Sequence, residues 1–330
     1  MLEPGQIQKI DAILAAAEEE GRRTLFEFEV YGILNALDLT VPRFRFIRDP
    51  EEVDEAMIED FGDRIVLKVV SEEIAHKQKM GGIEIADNGN HLFIRFLLEN
   101  MKKRIHENFP EDEKPSIHGF LLVEFIPFKP ALGYEILIGF KKDTAFGPIL
   151  TLSKGGDDAE FFAEYYDPAN LFAPPFEYED ALEVLQSLKI RHRYAEIGHL
   201  EYLEYIADAA SKLSKLAYVY SFVSEEKRDF IIKSLDINPF VLTANNRFVA
   251  VDGYAEFARG DESRVEMPPI QTENLRSFFN PSGIAVIGVS SNVNKGSIGV
   301  EIAKLLHDLG RNDIYFVNIK GGSLALDGKE

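Results

Sequence analysis

The chain has 330 residues, 45% hydrophobic and 28% charged, with a formal net charge of −20 and no cysteine. That is an ordinary globular composition of a length suited to two domains; it excludes disulfides, thiolate catalysis and thiolate-bound zinc, and its acidity argues against non-specific nucleic-acid binding, which runs on phosphate neutralisation. No apolar run reaches the roughly 18 residues of a membrane span, and the opening MLEPGQIQKIDAIL lacks the basic-then-apolar order of a signal peptide, so the default expectation is a cytoplasmic protein with no membrane partner.

From the N-terminus, apolar spacing predicts a helix over residues 6–20 and a second over 26–37, then a strand over 39–47 entered through Pro42. Asp49-Pro50-Glu51-Glu52 reads as a helix start, with an Asp cap, Pro at the first position and Glu at the third. Residues 64–70, RIVLKVV, are a β-branched run expected as a central strand. A short strand near Ile83 and a long helix over 90–108 follow. Strands at 118–126 and 134–141 are expected to be joined by a proline-containing turn, with FGPILTL next. Helices dominate 179–220; in the last, Leu200, Leu203, Ile206, Ala210, Leu213 and Ala217 share one face. Strands around 231–242 and 248–251 close this part. Strands that come as neighbours, mixed with helices, indicate an α+β domain.

Residues 261–272, DESRVEMPPIQT, have charge, Pro-Pro and no apolar period, and read as linker. Beyond them the pattern changes. Residues 284–288 form an apolar run expected as a buried strand, Ile298, Ile302, Leu305, Leu306 and Leu309 line a helix stopped by Gly310, and 313–318 form another strand. This is a parallel β-α-β unit.

Five stretches carry possible chemistry. Gly288, Gly296 and Gly299 do not have the G-x-G-x-x-G spacing of a dinucleotide fingerprint, and Asn318 and Lys320 stand where a ribose-binding acid would end the second strand. Either a phosphate sits at the helix N-terminus or the glycines serve only the turn. In SLDINPFVLTANNRFVAVD, Asn238 and Asp252 on adjacent strands form a hard oxygen pair of the kind magnesium takes alongside water and phosphate; a polar hairpin rim is the alternative. Lys68 lies inside a β-branched strand and needs a negative partner, a nucleotide phosphate or a core carboxylate. His76 precedes Gly81-Gly82 in a loop, as a relay or as a solvated side chain. Residues 133–156 end a strand on Lys141, Lys142 and Asp143, with Gly155-Gly156 able to let backbone approach a phosphate.

Taken together, VLK…HK…GG, then VEF, then G-x-E-x-x-x-G-x-K-x-D-x-x-FGP…GG, then LDINP…VAVD resemble the ATP-grasp part of NDP-forming acyl-CoA synthetases over about residues 26–257. FFNPSGIAVIGVSSNVNKGSIG…IYFVNIKGG, 278–322, resembles the opening of the same family's CoA-binding domain. The resemblance implies an α+β ATP-grasp fold of two lobes followed by an incomplete Rossmann-like unit. The expected boundaries are an N-terminal helical extension at 1–25, ATP-grasp at 26–260, linker at 261–277 and the start of the CoA-binding domain at 278–330. It implies a piece of a longer protein, whose CoA-ligase domain lies in the remaining chain or in a separate subunit; a homo-oligomer is also open.

The family reaction is acyl-CoA + NDP + phosphate ⇌ acid + CoA + NTP, through an acyl phosphate and a phosphohistidine. By resemblance, Lys68, Glu135, Lys141, Gly155 and Gly156 surround ATP or ADP, and Glu124 with the Phe125 and Ile126 backbone forms the adenine-side hinge. Asn238 and Asp252 hold Mg²⁺, and His76 relays the phosphoryl group. Gly288, Ser290, Lys295 and Gly296 meet CoA in the full-length protein. The chain departs from the family pattern at Gln78-Lys79, at Ser153-Lys154, at Ser234 and near residues 189–192, where the family's arginine-glycine segment is not evident. A degenerate, nucleotide-sensing module is the alternative reading.

Overall fold

A computed structural model describes residues 1–74, 77, 80–110, 113–166, 168–260, 272, 275–292, 297–322 and 324. It divides into two compact units, Met1–Val265 and Glu266–Glu330.

The first unit begins α1 (Pro4–Glu19), β1 (Thr24–Leu25), α2 (Glu27–Ala36) and β2 (Phe44–Ile47), then α3 (Glu55–Glu59), β3 (Arg64–Val70), β4 (Ile83–Asp87), α4 (His91–Glu107) and β5 (Gly119–Glu124). It continues β6 (Glu135–Asp143), β7 (Gly147–Lys154), α5 (Ala159–Tyr165), β8 (Asn170–Phe172), α6 (Tyr178–Ser187), α7 (Ile190–Ile197), α8 (Tyr202–Val219), β9 (Phe230–Leu242), β10 (Phe248–Ala250) and β11 (Gly253–Arg259). Two antiparallel sheets result: a four-stranded one ordered β2-β5-β3-β4, and a seven-stranded one ordered β1-β11-β9-β6-β7-β8 with β10 also on β9.

β3 explains how the smaller sheet is built. Successive strand side chains point to opposite faces. Ile65, Leu67 and Val69 pack with Ile94, Leu98, Met101 and Ile105 of α4, while Val66 and Val70 join the cluster containing Val30, Tyr31 and Leu34 of α2. Lys68 falls on that second face, a lysine in a row of valines. On the larger sheet, Ile136, Ile138, Phe140, Leu150, Leu152, Leu235 and Ile237 bury against Leu203, Ile206, Leu213 and Leu216 of α8. α1 contributes Ile10, Leu14 and Ala17, all fully buried, to the same core.

Several expectations change in three dimensions. β5 and β6 are not a hairpin; they lie in different sheets, and residues 125–134 cross between them. Pro127 and Pro130 have no N–H for a ladder, which suits a crossing better than a paired turn. The Asp49 helix start closes after one 3-10 turn, Pro50–Glu52, and Asp54 caps anew, accepting from Met57 N–H at 2.7 Å to open α3. α5, β8 and β11 were not anticipated. β11 hides in the sequence because VAVDGYAEFAR runs on from β10, and β9, thirteen residues long, pairs with the two in series.

The second unit holds α9 (Leu275–Phe279), β12 (Ile284–Ile287), α10 (Ile298–Asp308) and β13 (Ile314–Val317). The strands are parallel, Ile284 opposite Ile314. Ser297 Oγ caps α10, accepting from Val300 N–H at 3.3 Å, and Gly310 past its end takes φ +75°. Val286, Val289, Val300, Ala303 and Leu324 make a small core. The buried strand expected at 284–288 is buried only in part: Ile287 is 80% exposed and Tyr315 and Val317 are also open. Among the described residues one helix, α10, covers one face of a two-stranded sheet, whereas parallel sheets are ordinarily covered on both. Of the expected linker 261–277, residues 261–271, 273 and 274 lie outside the described residues, and α9 begins inside its last part.

Candidate functional site

Lys68 is 6% exposed. Its ammonium donates to Glu27 Oε1 at 2.6 Å and to the Val251 carbonyl at 2.9 Å. Glu27, at the first turn of α2 and 3% exposed, also accepts from Tyr31 Oη at 2.6 Å, and Lys77 Nζ stands 3.7 Å from its other oxygen. Burial disfavours the Glu27 charge, but the two lysines and the two hydrogen bonds prevail, holding its carboxyl below the usual range. Burial likewise disfavours the Lys68 charge, yet Glu27 and Asp252 hold its pKa above the ordinary lysine value.

The Val251 carbonyl is available to Lys68 for a covalent reason. Ala250 pairs with Phe240 and Gly253 with Ile237 in one antiparallel register, so Val251 faces Pro239 and Asp252 faces Asn238. Val251 N–H donates to the Pro239 carbonyl at 3.1 Å. The reciprocal bond of such a pair needs a Pro239 N–H, which proline lacks. The freed carbonyl turns to the lysine.

Asp252 follows in that gap between β10 and β11. It accepts from Gly253 N–H at 2.9 Å. Burial first, then the neighbouring Glu27 charge, push its carboxyl up to about 6, against the opposing pull of Lys68 and Lys77. Asn238, opposite it in register, is engaged elsewhere: its Oδ1 accepts from Gly156 N–H at 2.7 Å. Gly155 N–H donates to the Glu135 carbonyl at 2.9 Å, and at Gly156, whose φ is +90°, an added Cβ would come within 2.5 Å of Glu135 Oε1. Lys154 Nζ bonds the Gly155 carbonyl at 2.9 Å. Burial raises the Glu135 pKa, and Asp157 and Asp158 add to this while Lys154 opposes it. The site residues thus gather at two poles, Lys68 with Asp252 and Asn238 with Glu135, Gly155 and Gly156.

The remaining expected residues fall as follows. The Glu124 carboxylate accepts from Arg43 N–H at 3.0 Å and pairs with Arg43 Nε at 3.4 Å and Arg247 at 3.8 Å, so it ties β5 to the start of β2 and the β9–β10 turn. Arg64 lies 4.1 Å over the Phe125 ring, and Ile126 packs with Val241 and Val249. Lys141 is exposed and faces Asp236, whose carboxyl burial raises, Lys141 lowers and Glu256 raises. His76 lies outside the described residues, as do Gln78, Lys79, Lys295 and Gly296. In the second unit Gly288 lines an open cavity of about 610 Å³ with Ser297, Gly299 and Ile302, and Ser290 Oγ accepts from Asn292 N–H at 3.1 Å. Sequence reasoning missed Glu27, Tyr31 and Lys77. Glu27 reads as an ordinary first-turn acid, and its partner is 41 positions away.

A sequence model described as an ATP-grasp domain matches residues 16–255. The chain belongs to the ATP-grasp family. Within it, this is the nucleotide-binding portion found in NDP-forming acyl-CoA synthetases, a family of acid–thiol ligases. The β subunit of ADP-forming acetate–CoA ligase I from Pyrococcus furiosus is 28% identical over 252 residues, 75% of this chain and 97% of the relative. The α subunit of the same enzyme is 43% identical over 58 residues, 17% of this chain and 12% of its own length. The ADP-forming 4-hydroxybutyrate–CoA ligase of Nitrosopumilus maritimus is 26% identical over 250 residues, 72% of this chain but only 32% of that protein. The fold matches dinucleotide-forming acetyl-coenzyme A synthetase 1 of Ca. Korarchaeum cryptofilum, solved with coenzyme A and Ca-AMPCP, at a TM-score of 0.59 and 23% identity over 75% of this chain and 99% of that one. Another structure of that synthetase, TM-score 0.55, holds coenzyme A and Mg-AMPPCP. This ATP-grasp chain has, among the described residues, no helix long and apolar enough to cross a membrane.

Proposed function

We propose that this ATP-grasp chain binds a magnesium–nucleotide complex, ATP or ADP, between its two sheets and moves a phosphoryl group between the nucleotide and a histidine relay as one stage of acyl-CoA formation or cleavage. The observation that carries the reading is the Lys68 ammonium on the Val251 carbonyl, one residue from Asp252 and opposite the Asn238-Pro239 strand. A cation and a carboxylate from different sheets meet where a polyphosphate needs both.

The donor set suits Mg²⁺. Among the described residues no three His, Cys, Asp or Glu side chains gather into a metal cage. Magnesium does not require one; it takes one or two protein carboxylates and completes its shell with water and phosphate. Asp252, raised to about 6 by burial and by Glu27, is a carboxylate short of positive charge. Asp252, with the lone pair that the Asn238 amide oxygen keeps beside its bond from Gly156 N–H, is the pair that would hold the metal, which would supply positive charge to offset charge developing on the phosphates. Lys68 then neutralises phosphate charge, Gly155 and Gly156 admit backbone beside it, and Glu135 and Lys141 border it. The segment 124–126 forms the adenine side. His76 is assigned the relay, since a neutral imidazole is nucleophilic near pH 7.

The ligase chemistry itself needs a CoA-ligase part, in the remaining chain or a separate subunit, as the α and β subunits of the Pyrococcus relative suggest. We assign the second unit, with Gly288, Ser290, Lys295 and Gly296, to CoA, and keep the boundaries 26–260 for ATP-grasp, 261–277 for linker and 278–330 for the start of the CoA-binding domain.

Thermal unfolding with Mg-ADP, with ADP plus EDTA and with Mg²⁺ alone tests the reading. Ligand at about 100 times Kd stabilises by about 2.7 kcal/mol. A shift with Mg-ADP that EDTA abolishes and Asp252→Asn weakens supports it; no shift at millimolar Mg-ADP refutes it. One observation favours a sensing module instead: Lys154 sits on the Gly155 carbonyl, beside Glu135. Under that reading the ligand binds but no labelled γ-phosphate reaches His76.

A further inference from the structure

We infer that Glu27 is the positioning residue of the nucleotide site, a carboxylate beneath the cleft that holds Lys68, and Lys77 beside it, for the phosphates. The inference rests on the proposed phosphate contact of Lys68 and deepens it.

The geometry is specific. Lys68 belongs to the smaller sheet, Glu27 opens a helix packed in the core of the larger one, and Val251 directly follows β10. A lysine ammonium has three N–H donors. Glu27 Oε1 and the Val251 carbonyl take two of them, and among the described residues none takes the third. Two fixed acceptors on a four-carbon stem leave the ammonium little rotational choice, so the remaining donor is aimed. Glu27 is itself held, because Tyr31 donates to the same oxygen. Its Oε2 is buried with no hydrogen-bond partner and lies 3.7 Å from Lys77 Nζ. Lys77 directly follows His76 in the chain. One carboxylate therefore collects two cations from the strand and the loop that the proposed reaction uses, and touches no substrate itself.

A core ion pair that merely steadied the fold would not need Lys68 to keep a donor that, among the described residues, meets no acceptor. The distinguishing test is a double-mutant cycle on the whole chain, with Mg-ADP affinity by calorimetry and adenosine binding by saturation-transfer NMR. Glu27→Gln keeps the shape and an acceptor oxygen but removes the charge. Glu27→Gln and Lys68→Gln each weaken Mg-ADP about tenfold, the weight of one charge-assisted hydrogen bond. The double variant loses clearly less than the sum of the two single losses, since Glu27 acts largely through Lys68 and only its hold on Lys77 remains to be lost. Adenosine, which has no phosphate, binds all three equally. Should Glu27→Gln fail to fold, Tyr31→Phe loosens the same carboxylate and weakens Mg-ADP about threefold with adenosine unchanged. Additive losses, an equal loss of adenosine binding, or a Glu27→Gln variant that binds Mg-ADP like the wild type while Lys68→Gln does not, each overturn the positioning role alone. Normal Mg-ADP binding by Lys68→Gln overturns the phosphate contact beneath it as well.

Discussion

Replacing Asp252 with asparagine stabilises the free protein at pH 8 and scarcely changes it at pH 4. The folded carboxyl is pushed from the ordinary aspartate value of 3.8 to about 6, chiefly by burial and then by Glu27. Between those values the native state keeps a proton that the unfolded chain has released. Stability therefore falls as pH rises from about 4 to 6 and stays lowered above, because the native state binds more protons there. At about 1.4 kcal/mol per pH unit the full penalty is about 3 kcal/mol. Solvent reaching the partly open side chain trims it to about 2 kcal/mol. Asparagine has no charge to bury and keeps an oxygen for Gly253 N–H. Urea unfolding followed by far-ultraviolet circular dichroism reads the difference, with the transition of the first unit compared at pH 8 and pH 4. Saturating Mg-ADP reverses the order at pH 8, since the cation offsets the charge only in the wild type. A variant no more stable than wild type at pH 8, or one with an equal gain at pH 4, refutes the account of Asp252 as an uncompensated carboxylate.

Two further substitutions test the frame around the site. Arg22, 5% exposed, directs all five donors to Glu20, Glu29 and the Thr24 carbonyl and lies 4.0 Å over the Phe26 ring. Lysine has three donors and no plane to stack, so Arg22→Lys costs about 2 kcal/mol, read as a lowered urea midpoint with unchanged slope. Gly119 opens β5 at φ +154°, with the Ile47 carbonyl of β2 where a Cβ would stand. Gly119→Ala costs at least about 2 kcal/mol and shows first as faster amide exchange in the smaller sheet, whereas Gly62→Ala, with open space around it, changes little.

Much of the lower-order structure was legible because it is written locally. β3 was read from RIVLKVV, since β-branched residues crowd helices and suit a pleated surface. α10 and its stop were read from a helical apolar stripe ending at Gly310. The candidate residues were legible as types at intervals. Lysine among valines announces a buried charge in search of a partner.

What that partner is could not be read. Strand periodicity says which face Lys68 takes, not what lies on it, and the answer, Glu27, comes from a helix 41 residues earlier. The crossing at 125–134 looked like a hairpin turn because pairing partners are chosen across the whole sheet, and β5 found β2 and β3 instead. The apolar run at 284–288 looked buried, but burial belongs to whatever covers a strand, and α10 covers only one side. The sequence by itself determined the element types, the proline that withholds an N–H from Val251 and the ATP-grasp residue pattern. Tertiary structure alone decided which acid meets which base, because contact energies depend on distance in space and on the water excluded there, and neither is a property of neighbours along the chain.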